Sequence, residues 1–454
     1  MKTDITYINA IILHILIGML TYFNENLAKV YFAIALVYFL SKIILSEKSS
    51  KTFHVLCACA YFVGAEVLFR ITRGSISYEA GKYLVILFVI IGMFYKGISG
   101  RAYPYFLYVL LLVPSIFVAS TTLSFDANFR TNIAFVLSGP VCLGAAALFT
   151  YDKKITFNQL NKVLLYVLLP IISHTVYIFF YNPSVKDVLS GTGSNRDASG
   201  GWGANQVSTV LGLGMFILVV RLFTKSPSLG LKLLNIGLFS VIAYRAIVTF
   251  SRGGVITAVV AILAFLAIYY SNVSKKKKNE VALMFMFFVF AFSLTWVVSS
   301  SQTDGYIDLR YTNRDHLGRE KSDVTTGRKE LFEEELEGFV SNPFLGIGSS
   351  RAKDQRIEVE GQGVTSHSEL SRLLAEHGIF GVIILVILLF KPLDMKSRSK
   401  HNYFFYAFMC FWFATINHSS MRLAAPAFIY SLALLNVVNE KRSLHRKQLN
   451  QENI

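Results

Sequence analysis

The chain has 454 residues, of which 54% are hydrophobic and 16% charged, with a formal net charge of +16 and a positive mean hydropathy. This balance excludes an ordinary soluble globular protein and places the chain among integral membrane proteins. In a soluble chain the basic excess would suggest nucleic acid; here it serves to orient helices, and no nucleic-acid partner is expected.

In chain order, fourteen apolar segments read as membrane spans: residues 5–23, 28–45, 53–69, 83–94, 104–119, 133–151, 163–181, 207–223, 234–250, 255–270, 281–298, 379–390, 403–416 and 423–438. The fourth and twelfth are short for a hydrocarbon core of roughly 30 Å, so the expected count is 12–14 helices. The fold class is therefore an all-α polytopic membrane protein with one large exterior loop that carries short helices. The organisation that follows is a transmembrane bundle over 1–299, the loop over 300–377, further transmembrane helices over 378–440 and a basic cytoplasmic tail over 441–454. The first segment lacks a small-residue cleavage site and reads as a retained anchor. Cys57, Cys59, Cys142 and Cys410 all fall inside apolar segments. They read as small hydrophobes, with neither a disulfide framework nor a metal site.

Lysine and arginine crowd alternate connections: Lys42, Lys48 and Lys51; Lys96 and Arg101; Lys153, Lys154 and Lys162; Arg221, Lys225 and Lys232; 275–278; Lys391, Lys396, Arg398 and Lys400; and the tail. By the positive-inside rule these face the cytoplasm, together with both termini. The other connections, 24–25, 70–82, 121–130, 182–206, 251–254, 300–377 and 417–422, are then exterior. The 70–82 connection, with three cations, runs against the pattern.

Three exterior stretches carry chemistry. The 182–206 loop holds Arg196 among glycine, serine and asparagine. Arg252, in Ser251-Arg252-Gly253-Gly254, opens a membrane helix, where free amides and the helix dipole favour an anion and the guanidinium offers a two-pronged fork for phosphate. Its glycines would let backbone approach a ligand; an interfacial arginine snorkelling to headgroups is the other reading. The insert contains an amphipathic helix from Arg328, with Phe332, Leu336 and Phe339 on one face, stopped at Asn342-Pro343. It ends in Ser366-His367-Ser368-Glu369, whose spacing is that of a capping box with Ser366 as cap. That puts His367 in a first helical turn, where the dipole disfavours its proton and leaves a candidate general base; a plain hydrogen-bonded histidine is the alternative. His377 and His418 fit that structural role. No metal-ligand spacing or nucleotide-binding loop is present, and no cofactor is expected.

His367-Ser368, nine residues and then Gly378-Ile379-Phe380-Gly381 resemble the pattern of the O-antigen ligase/polymerase family of bacterial membrane glycosyltransferases. Gly327-Arg328 followed by Asn342-Pro343-Phe344-Leu345-Gly346-Ile347-Gly348 is similar to that family's periplasmic signature. Ser251-Arg252-Gly253 and Arg196 are similar to its exterior arginine sites. The resemblance covers roughly the C-terminal two thirds. Val382 and Leu385 stand where the family has threonine and phenylalanine, and Ser368-Glu369 replaces its common asparagine. The resemblance implies metal-independent glycan transfer from an undecaprenyl diphosphate carrier, with His367 as base, Arg196 and Arg252 on the diphosphate and Arg328 as an additional substrate contact. The acceptor it implies is lipid A–core in a ligase, a carrier-linked repeat in a polymerase or a protein hydroxyl in an oligosaccharyltransferase. Membrane lipids and a chain-length regulator are the further partners. A lipid-linked saccharide flippase is the non-enzymatic alternative; it would spread ionisable groups through several spans.

Overall fold

The computed structural model describes residues 2–438 except 322, 324–326, 362 and 400; the basic tail and Lys400 lie outside the described residues. Each of the fourteen apolar segments contains helix. They are α1 (Lys2–Phe23), α2 (Asn26–Leu45), α3 (Lys51–Ile71), α4 (Ala80–Lys96), the pair α5 (Tyr103–Leu111) and α6 (Pro114–Thr122), α7 (Phe129–Thr150), and, after strand β1 (Lys154–Thr156), α8 (Phe157–Tyr181). There follow α9 (Ala204–Thr224), α10 (Leu229–Ile247), α11 (Arg252–Asn272) and α12 (Lys275–Gln302). The polar insert carries α13 (Tyr306–Tyr311), α14 (Arg328–Ser341), α15 (Arg351–Glu360) and α16 (Glu369–His377). The chain closes with α17 (Ile379–Arg398), α18 (Phe405–Ile416), α19 (Ala424–Ala433) and strand β2 (Asn436–Val438).

Among the described residues, ten spans are long and apolar enough to cross a membrane: α1 to α3, the α5–α6 pair, and α7 to α12. Proline at position 114 breaks the pair, since it can neither donate a backbone hydrogen bond nor fit the preceding turn. The expected last span, 423–438, is corrected: its helix stops at Ala433, and residues 436–438 pair in parallel with Lys154–Thr156. Ten residues of helix rise only about 15 Å. All ten residues of α19 are buried, and non-helical backbone is tolerated at membrane depth when protein surrounds it. The core lies where α19 meets α3, α7 and α18, with α8 and α9 beside α3; α1, α2 and α12 keep apolar faces outward.

The two sets of connections gather at opposite ends. At one, Arg70 donates to Gln206 at 2.8 Å, Ser208 to Ser251 at 2.9 Å, and Ser124 to Asp354 at 2.7 Å. At the other, Lys96 donates to the Lys48 carbonyl at 2.8 Å and Tyr151 to Asp394 at 2.8 Å. The cations of the 70–82 connection do not break the alternation, because two of the three are neutralised internally. Arg70 Nη2 is 2.6 Å from Glu66, and Lys82 Nζ is 2.5 Å from Glu79, all four being buried.

The glycines around α16 dock the insert onto it. Ile347 N–H donates to Ala375 O at 2.8 Å and Gly348 N–H to Glu376 O at 3.3 Å, which satisfies carbonyls at the helix end. Gly346 (φ +74°) and Gly378 (φ +58°) sit in left-handed regions, and a Cβ on Gly346 would lie 2.4 Å from the Glu376 carbonyl carbon. Only glycine meets both demands.

Candidate active site

The turn before α11 places the first arginine. Phe250 takes φ +59°, and Ser251 Oγ donates to Asn205 Oδ1 at 2.7 Å while accepting from Ser208 Oγ at 2.9 Å. Arg252 is thereby fixed as the first residue of α11. The two glycines after it are also required by packing, a demand the sequence did not reveal. A Cβ on Gly253 would lie 2.3 Å from His418 Cδ2, and one on Gly254 2.3 Å from the Ser208 backbone.

Arg310, on α13, donates from Nε to the Phe250 carbonyl at 3.1 Å, and Arg252 Nη1 lies 3.5 Å from the Arg310 carbonyl. Arg328 is the first residue of α14. Burial lowers the pKa of both Arg310 and Arg328, and the nearby Arg252 charge lowers each further. Arg422, in the 417–422 turn, binds the chain just ahead of His367: its Nη2 is 2.9 Å from the Ser366 carbonyl and 2.5 Å from Thr365 Oγ1. Burial lowers this arginine too, and Arg328 adds to the effect. Among the described residues, none of Arg310, Arg328 and Arg422 forms an ion pair with a carboxylate. Like charges held together in partial burial make a site prepared for an anion.

His367 sits against this group. Its capping arrangement differs from the one read in the sequence. The cap of α16 is Ser368, whose Oγ accepts from Ser371 N–H, so His367 lies one residue outside the helix. Glu369 does not reach back to a cap; it pairs with Arg372 and accepts from Met421 N–H at 3.3 Å. The imidazole pKa is pushed down to about 4, first by burial, then by the charges of Arg422 and Arg328. The ring is therefore neutral at pH 7, as expected, but the helix dipole is not the main reason. The ring makes a hydrogen bond with the His418 backbone, and among the described residues Nδ1 has no partner. The His367 carbonyl accepts from Ser420 N–H at 3.1 Å, so the 417–422 turn also fixes the backbone.

His367 opens onto a cleft of about 340 Å³ lined by Arg328, Lys329, Leu331, Phe332, Glu335, Ser366, Ser368, Ser371 and Asn417. A smaller polar chamber lies behind it, between α7, α15 and α16, walled by Glu335, Glu369, Glu376, Arg356, Arg372 and Arg422. His418 is structural: Nε2 is 3.2 Å from Thr209 Oγ1, Nδ1 is 2.9 Å from the Ala414 carbonyl, and the ring packs on Gly253. His377 is fully buried at the end of α16.

The structure thus brings together three of the four residues singled out in the sequence, Arg252, Arg328 and His367. Arg196 is exposed on its loop, with Nε donating to the Gly201 carbonyl at 2.7 Å, and no contact among the described residues joins it to the others. Arg310 and Arg422 were missed. Among the described residues, no group of three or more His, Cys, Asp or Glu side chains is placed to hold a metal ion. Residues 236–386, about a third of the chain, match the family model for O-antigen ligase; Arg252, Arg310, Arg328 and His367 fall inside the match, Arg196 and Arg422 outside it. No curated protein matches the chain.

Proposed function

We infer that this chain, whose residues 236–386 match the O-antigen ligase family model, is a member of that ligase/polymerase family and transfers a glycan from a polyprenyl (undecaprenyl) diphosphate carrier to a saccharide hydroxyl at the exterior face of the membrane. The observation that supports this reading best is a neutral histidine that shares its cleft with Arg328 and feels the charges of Arg328 and Arg422, with Arg252 and Arg310 close to Arg328 in turn. The arginines would hold the diphosphate. The acceptor oxygen attacks the anomeric carbon and forms the new glycosidic bond as the bond from that carbon to the phosphate oxygen breaks. The hydroxyl proton passes to His367, and the electron pair leaves on the diphosphate, whose growing charge the guanidinium groups stabilise. A diphosphate leaves readily without protonation, so this path needs no general acid. The exposed apolar residues Phe332 and Leu336 on α14 lie beside the cleft, where a polyprenyl tail would enter from the lipid.

The departures at Val382 and Leu385 favour polymerisation over ligation. Deletion of the gene tests both: single repeat units on a normal core mean polymerase, while long chains left on the carrier with a bare core mean ligase. Transfer itself is tested with purified protein in lipid and a polyprenyl-diphosphate glycan. His367→Ala should lose about 10²- to 10⁴-fold in rate, the usual contribution of a general base. Turnover close to wild type would remove His367 from the mechanism.

A further inference from the structure

The helix α14 meets the protein through an acid rather than through its apolar stripe. Phe332 and Leu336 of that stripe are 45% and 42% exposed and Phe339 is half-buried, whereas Glu335 is 1% exposed. Its neighbours Glu330, Glu333 and Glu337 face solvent. An ionised carboxylate is costly to bury unless donors satisfy it, and three donors do so here. Oε2 accepts from Ser371 Oγ at 2.5 Å and from Ser366 Oγ at 3.1 Å, the Ser366 proton being shared with the Ser368 carbonyl at 2.8 Å, and Oε1 accepts from Arg356 Nη2 at 3.1 Å.

The two serines bracket His367. Ser366 Oγ accepts the Ser368 N–H at 3.2 Å, and Ser368 Oγ accepts the Ser371 N–H at 3.5 Å. One carboxylate therefore pins both ends of the segment that carries the histidine. It also stands in the walls of both the cleft and the chamber behind it.

We propose that Glu335 is a positioning residue for the transfer, holding His367 where its ring takes the acceptor proton without itself touching the reacting atoms. The proposal rests on His367 as the base. Misplacing a reacting group by about 1 Å costs on the order of 10²-fold in rate. A role confined to folding would instead disturb α14 as a whole, with Arg328 and Lys329 on it, and would weaken donor binding.

The test uses the full chain in lipid with a polyprenyl-diphosphate glycan donor, comparing Glu335→Gln, the milder Ser366→Ala and their combination. In each single variant kcat should fall about 10²-fold, with donor KM and melting temperature near wild type. The double variant should be no slower than the slower single, because both act through one placement. His367→Ala is measured in parallel. If it turns over like wild type, it is the base assignment that fails. If it is inactive while Glu335→Gln or Ser366→Ala keeps a near-normal kcat, the positioning role is overturned. Losses that multiply, or that follow donor KM or melting temperature, overturn it as well.

Discussion

The acid–base behaviour of His367 gives the most direct residue-scale prediction. With a free-enzyme pKa near 4, set by burial and then by Arg422 and Arg328, the base is disabled only when it gains a proton. The ratio kcat/KM should therefore stay level from neutral pH downward and fall as pH drops through about 4. Binding a diphosphate would offset the arginine charges and return the pKa upward. The acid limb of kcat, which reports the complex, should then lie at higher pH than that of kcat/KM. Both limbs should vanish in His367→Gln. The arginines divide the same way. Loss of a charge-assisted fork costs about 1.5–3 kcal/mol, roughly ten- to a hundredfold, so Arg252→Ala, Arg310→Ala, Arg328→Ala and Arg422→Ala should each weaken donor affinity by that factor. Arg196→Ala, on its exposed loop, should be near wild type. Donor titration checks all five, and a dominant effect at Arg196 would show that the 182–206 loop closes over the site. Arg310 gave no signal in the sequence, since it is one cation among several in a polar insert. Arg422 did give one: it is a cation in an exterior connection, the same anomaly that singled out Arg252.

Among the elements, α16 shows what spacing can and cannot reveal. Ser366 and Glu369 have capping-box spacing, yet Ser368 caps the helix, because Glu369 is drawn inward to Arg372 and the Met421 amide. Local pattern lost to tertiary pairing. The glycine patterns were legible as positions but not as reasons, since packing partners such as His418 and the Glu376 carbonyl are remote in sequence. Gly253→Ala should displace His418, whose ring a Cβ would meet at 2.3 Å. Activity and melting temperature should both fall in that variant. Replacing His418 with alanine as well should restore part of the stability, because the clash is then gone. No recovery in the double variant would mean that Gly253 is needed for backbone freedom instead.

At the scale of the whole molecule, apolar run length and charge alternation were enough to find every helix of the bundle and to sort its connections into two ends. The parallel pairing of residues 154–156 with 436–438 was not legible, because three-residue strands carry no periodicity. Both pieces lie at the basic end, as the alternation requires. Which end faces outward is a separate matter, for which the charge rule predicts that the site end is exterior. Single cysteines test this after Cys57, Cys59, Cys142 and Cys410 are replaced. Ile76 and Val359 are 84% and 83% exposed at the site end, and Leu45 is 83% exposed at the basic end. Ile76→Cys and Val359→Cys should react with a membrane-impermeant maleimide in intact cells, whereas Leu45→Cys should react only after lysis. The neutralised quartet of Glu66, Arg70, Glu79 and Lys82 strengthens the expectation, because it removes two of the three cations that argue for the reverse orientation. If Val359→Cys reacts only in lysed cells, the arginine cleft faces the cytoplasm. A donor presented on the outer leaflet could then not reach His367, and the assignment of substrate would have to be abandoned with the topology.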